Sequence, residues 1–290
     1  MVIFYPIFIV CATDNMVEYI YIVKDGEIMN KATEIAGRNY SISAIVTLPE
    51  TCGKHPCVIM CHGTASDKNE VGNMYAGLAG SLAAKGIASV RFDFAGCGDS
   101  KASTLEQSFM AEVSDTAAVY DYICNMPETD ISRIGIIGFS QGGRVMAQFL
   151  KGYGDRIKAT VSWSGACHNG MGVMEGWFTE FYPFALENGY ADIPMGWREP
   201  LRLPLQWFED IKNTNPMDAL AAYSGRLLAV GGREDMLVPA AHQEEIAALN
   251  DGWVSVVYDG ADHTFNALSE DNSVALDCIE MTAEWFSENL

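Results

Sequence analysis

Gly138-Phe139-Ser140-Gln141-Gly142 sets a serine between glycines two residues to either side. A β-like run, 133–139, leads into this pentapeptide and a helical stretch leads out, so the chain turns sharply at Ser140. Such a turn crowds the backbone and lifts the hydroxyl clear of it, a suitable posture for attack on a carbonyl carbon. A serine hydroxyl is a weak nucleophile at neutral pH and needs a base, most often histidine. The chain offers His55, His62, His168, His242 and His263. His263 lies in the loop 260–265, directly after a strand expected at 253–258, whereas His242 falls in the first turn of a helix. His263 is therefore the expected base. A carboxylate must hold the other imidazole nitrogen and stabilise the imidazolium. Asp235, just beyond a strand expected at 226–231, fits that role. Its neighbour Glu234 is the alternative, and either could instead serve a helix start ahead of Pro239.

Acyl transfer also needs hydrogen-bond donors for the developing oxyanion, worth about 3 kcal/mol each. The backbone N–H of Gln141, next to the nucleophile, is one candidate. The second is the N–H of Thr64, which follows the strand 57–62 through His62-Gly63. His62 itself reads as a structural, hydrogen-bonded histidine.

These residues must be positioned by an alternation of short β-rich runs and helical stretches. Strands are expected at 17–23, 40–48, 57–62, 87–93, 133–139, 158–163, 226–231 and 253–258, and helices near 72–85, 105–126, 141–152, 239–250 and 273–289. Near-continuous apolar runs such as Ile134-Gly135-Ile136-Ile137 suit parallel strands covered on both faces. The pattern predicts a mostly parallel eight-stranded sheet, opened by a hairpin and flanked by helices on both sides. One interval departs from this rhythm. Residues 166–215 carry nine aromatics (Trp177, Phe178, Phe181, Tyr182, Phe184, Tyr190, Trp197, Trp207 and Phe208) and, with Pro216, five of the ten prolines. That stretch is far longer than a crossover requires and reads as a cap inserted over one end of the sheet. Trp177, Phe181, Tyr182 and Trp207 are the expected substrate-facing residues of that cap. The organisation predicted is one domain over 16–290, preceded by an apolar segment, 1–15, of uncertain standing: an extra edge strand, a poor export signal or sequence ahead of a start at Met16.

The 290 residues carry 18 Lys and Arg against 38 Asp and Glu, a net charge of −20. With no basic patch to override it, that field argues against nucleic acid or an anionic membrane as partner. Eight cysteines without a C-x-x-C pair suggest buried thiols in a reducing compartment, hence the cytoplasm, and no zinc site. No H-E-x-x-H, P-loop or EF-hand pattern is present in the sequence, so no metal or organic cofactor is expected. The expected partner is a small-molecule ester, and a homo-oligomer is compatible with the sequence.

The chain resembles the α/β-hydrolases, in which the order Ser140, Asp235, His263 is that of the catalytic triad. The segments His62-Gly63 with Asp67-Lys68-Asn69-Glu70, Arg91 through Ser100, Gly138 through Gly143 and Gly260 through Phe265 are similar to the cinnamoyl/feruloyl esterase-like branch of gut bacteria. That resemblance covers about 17–290 and implies the α/β-hydrolase fold with an inserted cap, and hydrolysis of small carboxylic esters, hydroxycinnamoyl esters among them. It departs at Thr64, where that branch usually carries an aromatic or bulky apolar residue after His-Gly. The backbone donor survives this change, but the shape of the acyl pocket does not carry over. The same triad would equally serve a peptidase, a thioesterase or an acyltransferase, and a non-catalytic binder on this scaffold is the reading from outside the enzymes.

Overall fold

The computed structural model describes residues 29–290 apart from Trp197, and of residues 1–28 only the backbone of four short strands. The expectation for residues 1–15 otherwise lies outside the described residues. In chain order the elements are β1 (Met29–Ala36), β2 (Ser41–Leu48), β3 (His55–Cys61), α1 (Met74–Ala84), β4 (Ala88–Phe92), α2 (Phe109–Cys124), β5 (Thr129–Phe139), α3 (Gln141–Tyr153) and β6 (Ala159–Trp163). They continue with α4 (Glu175–Asn188), the hairpin β7 (Tyr190–Ile193) and β8 (Leu201–Pro204), α5 (Leu205–Lys212), α6 (Pro216–Ala221), β9 (Arg226–Gly232), α7 (Ala240–Ala247), β10 (Val254–Tyr258) and α8 (Ser273–Asn289).

The main sheet runs β1-β2-β4-β3-β5-β6-β9-β10, extended beyond β1 by the short strands Ile20–Ile22 and Ile7–Ile9 to ten strands. From β4 to β10 every pairing is parallel, while β1, β2 and β4 pair antiparallel. The hairpin at the start of the sheet is therefore formed by 29–36 with 41–48, rather than by 17–23 with 40–48. The reason is visible in β1 itself. Its sequence MNKATEIA is polar and largely half-buried, so it lacks the apolar alternation that marks a strand.

The continuous apolar runs follow from burial on both faces. In β3, Cys57, Ile59 and Cys61 join the core beneath α2 and α3, while Val58 and Met60 join the core beneath α1 and α8. β5 divides likewise, with Ile134 and Ile136 on one side and Ile137 and Phe139 on the other. Among the described residues no helix is long and apolar enough to cross a membrane.

The long interval between β6 and β9 folds into α4, the β7–β8 hairpin, α5 and α6. Its aromatics pack on one another: Phe178 and Phe208 meet edge to face at 5.3 Å between ring centroids, Trp207 and Phe208 at 5.1 Å, and Trp177 lies 5.9 Å from Trp207. Phe178, Ile193, Leu201, Trp207 and Ile211 are continuous with the core that lies on the α2–α3 face of the sheet. The insertion is thus anchored by its own apolar layer, and Met110 N–H on α2 donates to Asp210 on α5 at 2.9 Å.

Candidate active site

Ser140, Thr64, Asp235 and His263 all follow the carboxyl ends of parallel strands, β5, β3, β9 and β10 in turn. That common polarity brings four distant stretches of sequence to one edge of the sheet. Ser140 sits at φ 52° and ψ −118°, a conformation costly for a side-chain-bearing residue. It is held there by three backbone bonds: its N–H donates to Trp163 O at 2.9 Å, and its carbonyl accepts from Gly143 at 3.0 Å and Ala166 at 2.9 Å. The flanking glycines are required by close approach. A Cβ on Gly138 would meet Gly142 O at 2.2 Å, and one on Gly142 would meet Cys61 O at 2.0 Å.

Ser140 Oγ lies 3.0 Å from His263 Nε2, and His263 Nδ1 lies 2.7 Å from Asp235 Oδ2. Because the carboxylate only accepts, Nδ1 carries the proton, which leaves Nε2 free to accept from the serine hydroxyl. Asp235 is sealed from solvent, and its Oδ1 accepts from the N–H groups of Leu237 and Val238, both at 2.8 Å. Those bonds fix the carboxylate plane against the imidazole, whose ring also lies 5.1 Å from the Phe139 ring. Glu234 is exposed and is not brought to the histidine. His242 is buried elsewhere, stacked on His168 with ring centroids 3.4 Å apart and Nδ1 3.2 Å from Glu245.

The loop after β3 is fixed with equal care. His62 Nε2 accepts from Phe94 N–H at 3.1 Å, so Nδ1 donates to Gly63 O at 2.8 Å, and neither nitrogen is free for chemistry. Gly63 N–H donates to Glu70 Oε2 at 2.6 Å, and Glu70 Oε1 accepts from Ser66 Oγ at 2.7 Å. The Lys68 ammonium, itself buried, contacts Asp93 at 2.5 Å and Asp99 at 2.6 Å, which ties the loop to the end of β4. With Gly63 N–H engaged, the next donor along the chain is Thr64 N–H. Thr64 stands beside Gln141, its hydroxyl donating to Gln141 Oε1 at 2.9 Å.

Of the expected cap residues, Trp177, Phe181 and Tyr182 are half-buried and Trp207 is fully enclosed, its indole N–H without a partner among the described residues. Neither Glu112 on α2 nor the role that Glu70 takes is marked by a motif in the sequence. Glu70 belongs to a segment that carries the family resemblance; an acid on a helix such as α2 carries no such signal.

The profile of the alpha/beta hydrolase fold matches residues 56–194. The chain has the α/β-hydrolase fold. It is similar to Est1E of Butyrivibrio proteoclasticus, solved with ferulic acid bound, at TM-score 0.75 and 21% identity over 89% of this chain and 99% of that one. It is also similar to the esterase domain of a Rhodothermus marinus protein, at TM-score 0.64 and 20% identity over 89% and 98% of the two chains. Among curated proteins, an uncharacterized protein of Mycobacterium tuberculosis is 27% identical over 228 residues, spanning 78% of this chain and 69% of that protein.

Proposed function

We propose that the chain is a serine hydrolase of small carboxylic esters, with Ser140 as nucleophile, His263 as base and Asp235 as the acid that orients it. The observation that carries this reading is the unbroken chain from Ser140 Oγ through His263 to Asp235. Ser140 Oγ attacks the ester carbonyl carbon as its proton passes to His263 Nε2. The N–H groups of Thr64 and Gln141 hold the oxyanion, and the imidazolium, steadied by Asp235, then gives its proton to the leaving alkoxide. Water enters, loses a proton to the same nitrogen and attacks the acyl-enzyme, which releases the acid and restores the serine. The insertion acts as a cap, where the half-buried Trp177, Phe181 and Tyr182 favour an apolar or aryl group, whereas Trp207, expected to face substrate, is enclosed between Trp177 and Phe208 and only supports them. Est1E, with its bound ferulic acid, supports including hydroxycinnamoyl esters among the substrates.

A fluorophosphonate probe labels Ser140 on this reading, and Ser140→Ala abolishes both labelling and p-nitrophenyl ester hydrolysis. Full activity in that variant would overturn the assignment. A panel of esters varying in acyl length and aromaticity, read as kcat/KM, tests the substrate class. Preference for aryl acyl groups supports the cap reading and preference for acetyl esters opposes it, while product analysis with added alcohol separates hydrolysis from acyl transfer.

A further inference from the structure

The two donors of the proposed oxyanion hole belong to separate segments, the loop after β3 and the first turn of α3. Their separation sets how well an oxyanion is held, and a displacement of even a few tenths of an ångström in one segment weakens the pair. A side-chain chain spans the gap. Thr64 Oγ1 donates to Gln141 Oε1 at 2.9 Å, and the other end of the same amide, Nε2, donates to Glu112 Oε2 at 2.6 Å. Glu112 Oε1 accepts in turn from Gln107 Nε2 at 3.2 Å, just ahead of α2. Gln141 and Glu112 are each 1% exposed. A carboxyl there is expensive, since an apolar side chain would pack on α2 without the loss of hydration. Its one evident return is direction. An acceptor at 112 makes Gln141 turn its NH2 inward and its carbonyl toward Thr64, so that the Thr64 hydroxyl is committed to Gln141.

We infer that Glu112 is a positioning residue of the oxyanion hole, holding the Thr64 loop in register with the start of α3 through the Gln141 amide. The inference deepens the serine-hydrolase reading and rests on it. Glu112 touches no substrate; it acts through Gln141 and Thr64, whose backbone N–H groups do.

The experiment is a double-mutant cycle in the full chain, with melting temperature recorded for every variant. Glu112→Met keeps the length and removes the acceptor, and Thr64→Val removes the hydroxyl while leaving the N–H. Each lowers kcat for a p-nitrophenyl ester about tenfold with KM within about twofold, the loss of roughly 1.4 kcal/mol in the transition state alone. The double variant falls no further than the worse single one, because both cut the same chain. Glu112→Gln, which can still accept from Gln141, restores most of kcat. Should Glu112→Met fail to fold, Glu112→Asp replaces it, the shorter carboxyl withdrawing from the 2.6 Å contact at little risk to the fold. Losses that multiply in the double variant, or a folded Glu112 variant with undiminished kcat, would overturn the inference. Those outcomes are distinct from failure of the underlying reading, which shows as an active Ser140→Ala enzyme.

Discussion

Asp235 spends one carboxylate oxygen on the imidazole and the other on two backbone N–H groups, so it has no acceptor to spare. An asparagine in its place must either turn its NH2 toward the N–H groups of Leu237 and Val238, or turn it toward His263 and force the wrong tautomer. Asp235→Asn is therefore expected to lower kcat by about 10³–10⁴-fold with an unchanged melting temperature. Steady-state kinetics beside a melting curve checks this, and a loss below tenfold would deny Asp235 its orienting role. Gly142→Ala is expected to fail differently. Its methyl would lie 2.0 Å from the Cys61 carbonyl, with only backbone to give way, so destabilisation of about 4 kcal/mol or more is expected by denaturant unfolding. At this scale the sequence was most legible where covalent spacing constrains chemistry. The pentapeptide, the loop acids and the loop histidine were readable because each follows a recognisable strand. Glu112 was not, because its importance comes from a long-range contact with Gln141 and from burial that α2 alone does not announce.

The parallel strands β3, β4, β5, β6, β9 and β10 were readable as short apolar runs, and the helices α1, α2, α3, α7 and α8 as the longer stretches that alternate with them. The insertion was recognisable as an insertion, but its elements were not. The hairpin strands β7 and β8 are four residues each and end at Pro204, and α4 carries Pro183 in its interior, so local signals conflict. What holds these elements is packing among aromatics distant in sequence, with Trp207 wedged between Trp177 and Phe208. Trp207→Ala is accordingly expected to cost about 3–5 kcal/mol and to expose 175–212 to limited proteolysis before the rest of the chain. Global unfolding without such preferential cleavage would mean that the insertion and the sheet unfold as one unit.

Over the whole molecule, buried carboxyls and buried histidines set opposing limits on stability. Burial pushes Glu112 up to about 8, against the hydrogen bonds from Gln141 and Gln107, and the nearby Asp115 and Asp210 charges add to the rise. Cys61 on β3 and Cys97 in the loop after β4 also face this carboxyl. Asp115 is pushed up to about 7 by burial, with Glu106 adding to the rise and with Tyr40 O–H, Arg38 and the Ala95 backbone N–H opposing it. Between the ordinary carboxylate range and these values, the folded chain retains protons that the unfolded chain has released. Stability from this pair therefore falls as pH rises from about 5 to about 8. The histidines act the other way. Burial, with His242 and Arg144 adding and Glu245 opposing, pushes His168 down to about 4, and burial lowers His242 despite its contact with Glu245. As pH drops below about 6.5 the unfolded chain takes up protons first, and stability falls again toward pH 4. Between about pH 5 and 6.5 the two effects oppose each other, so the melting temperature is expected to change little there and to fall above pH 6.5, where only the carboxyls act, with Glu112→Gln lifting the alkaline side and His168→Asn the acid side. Scanning calorimetry from pH 4 to 9 measures both limbs. A Glu112→Gln curve parallel to the wild type above pH 6 would show that this carboxyl stays ionised in the folded chain, its two amide donors outweighing its burial.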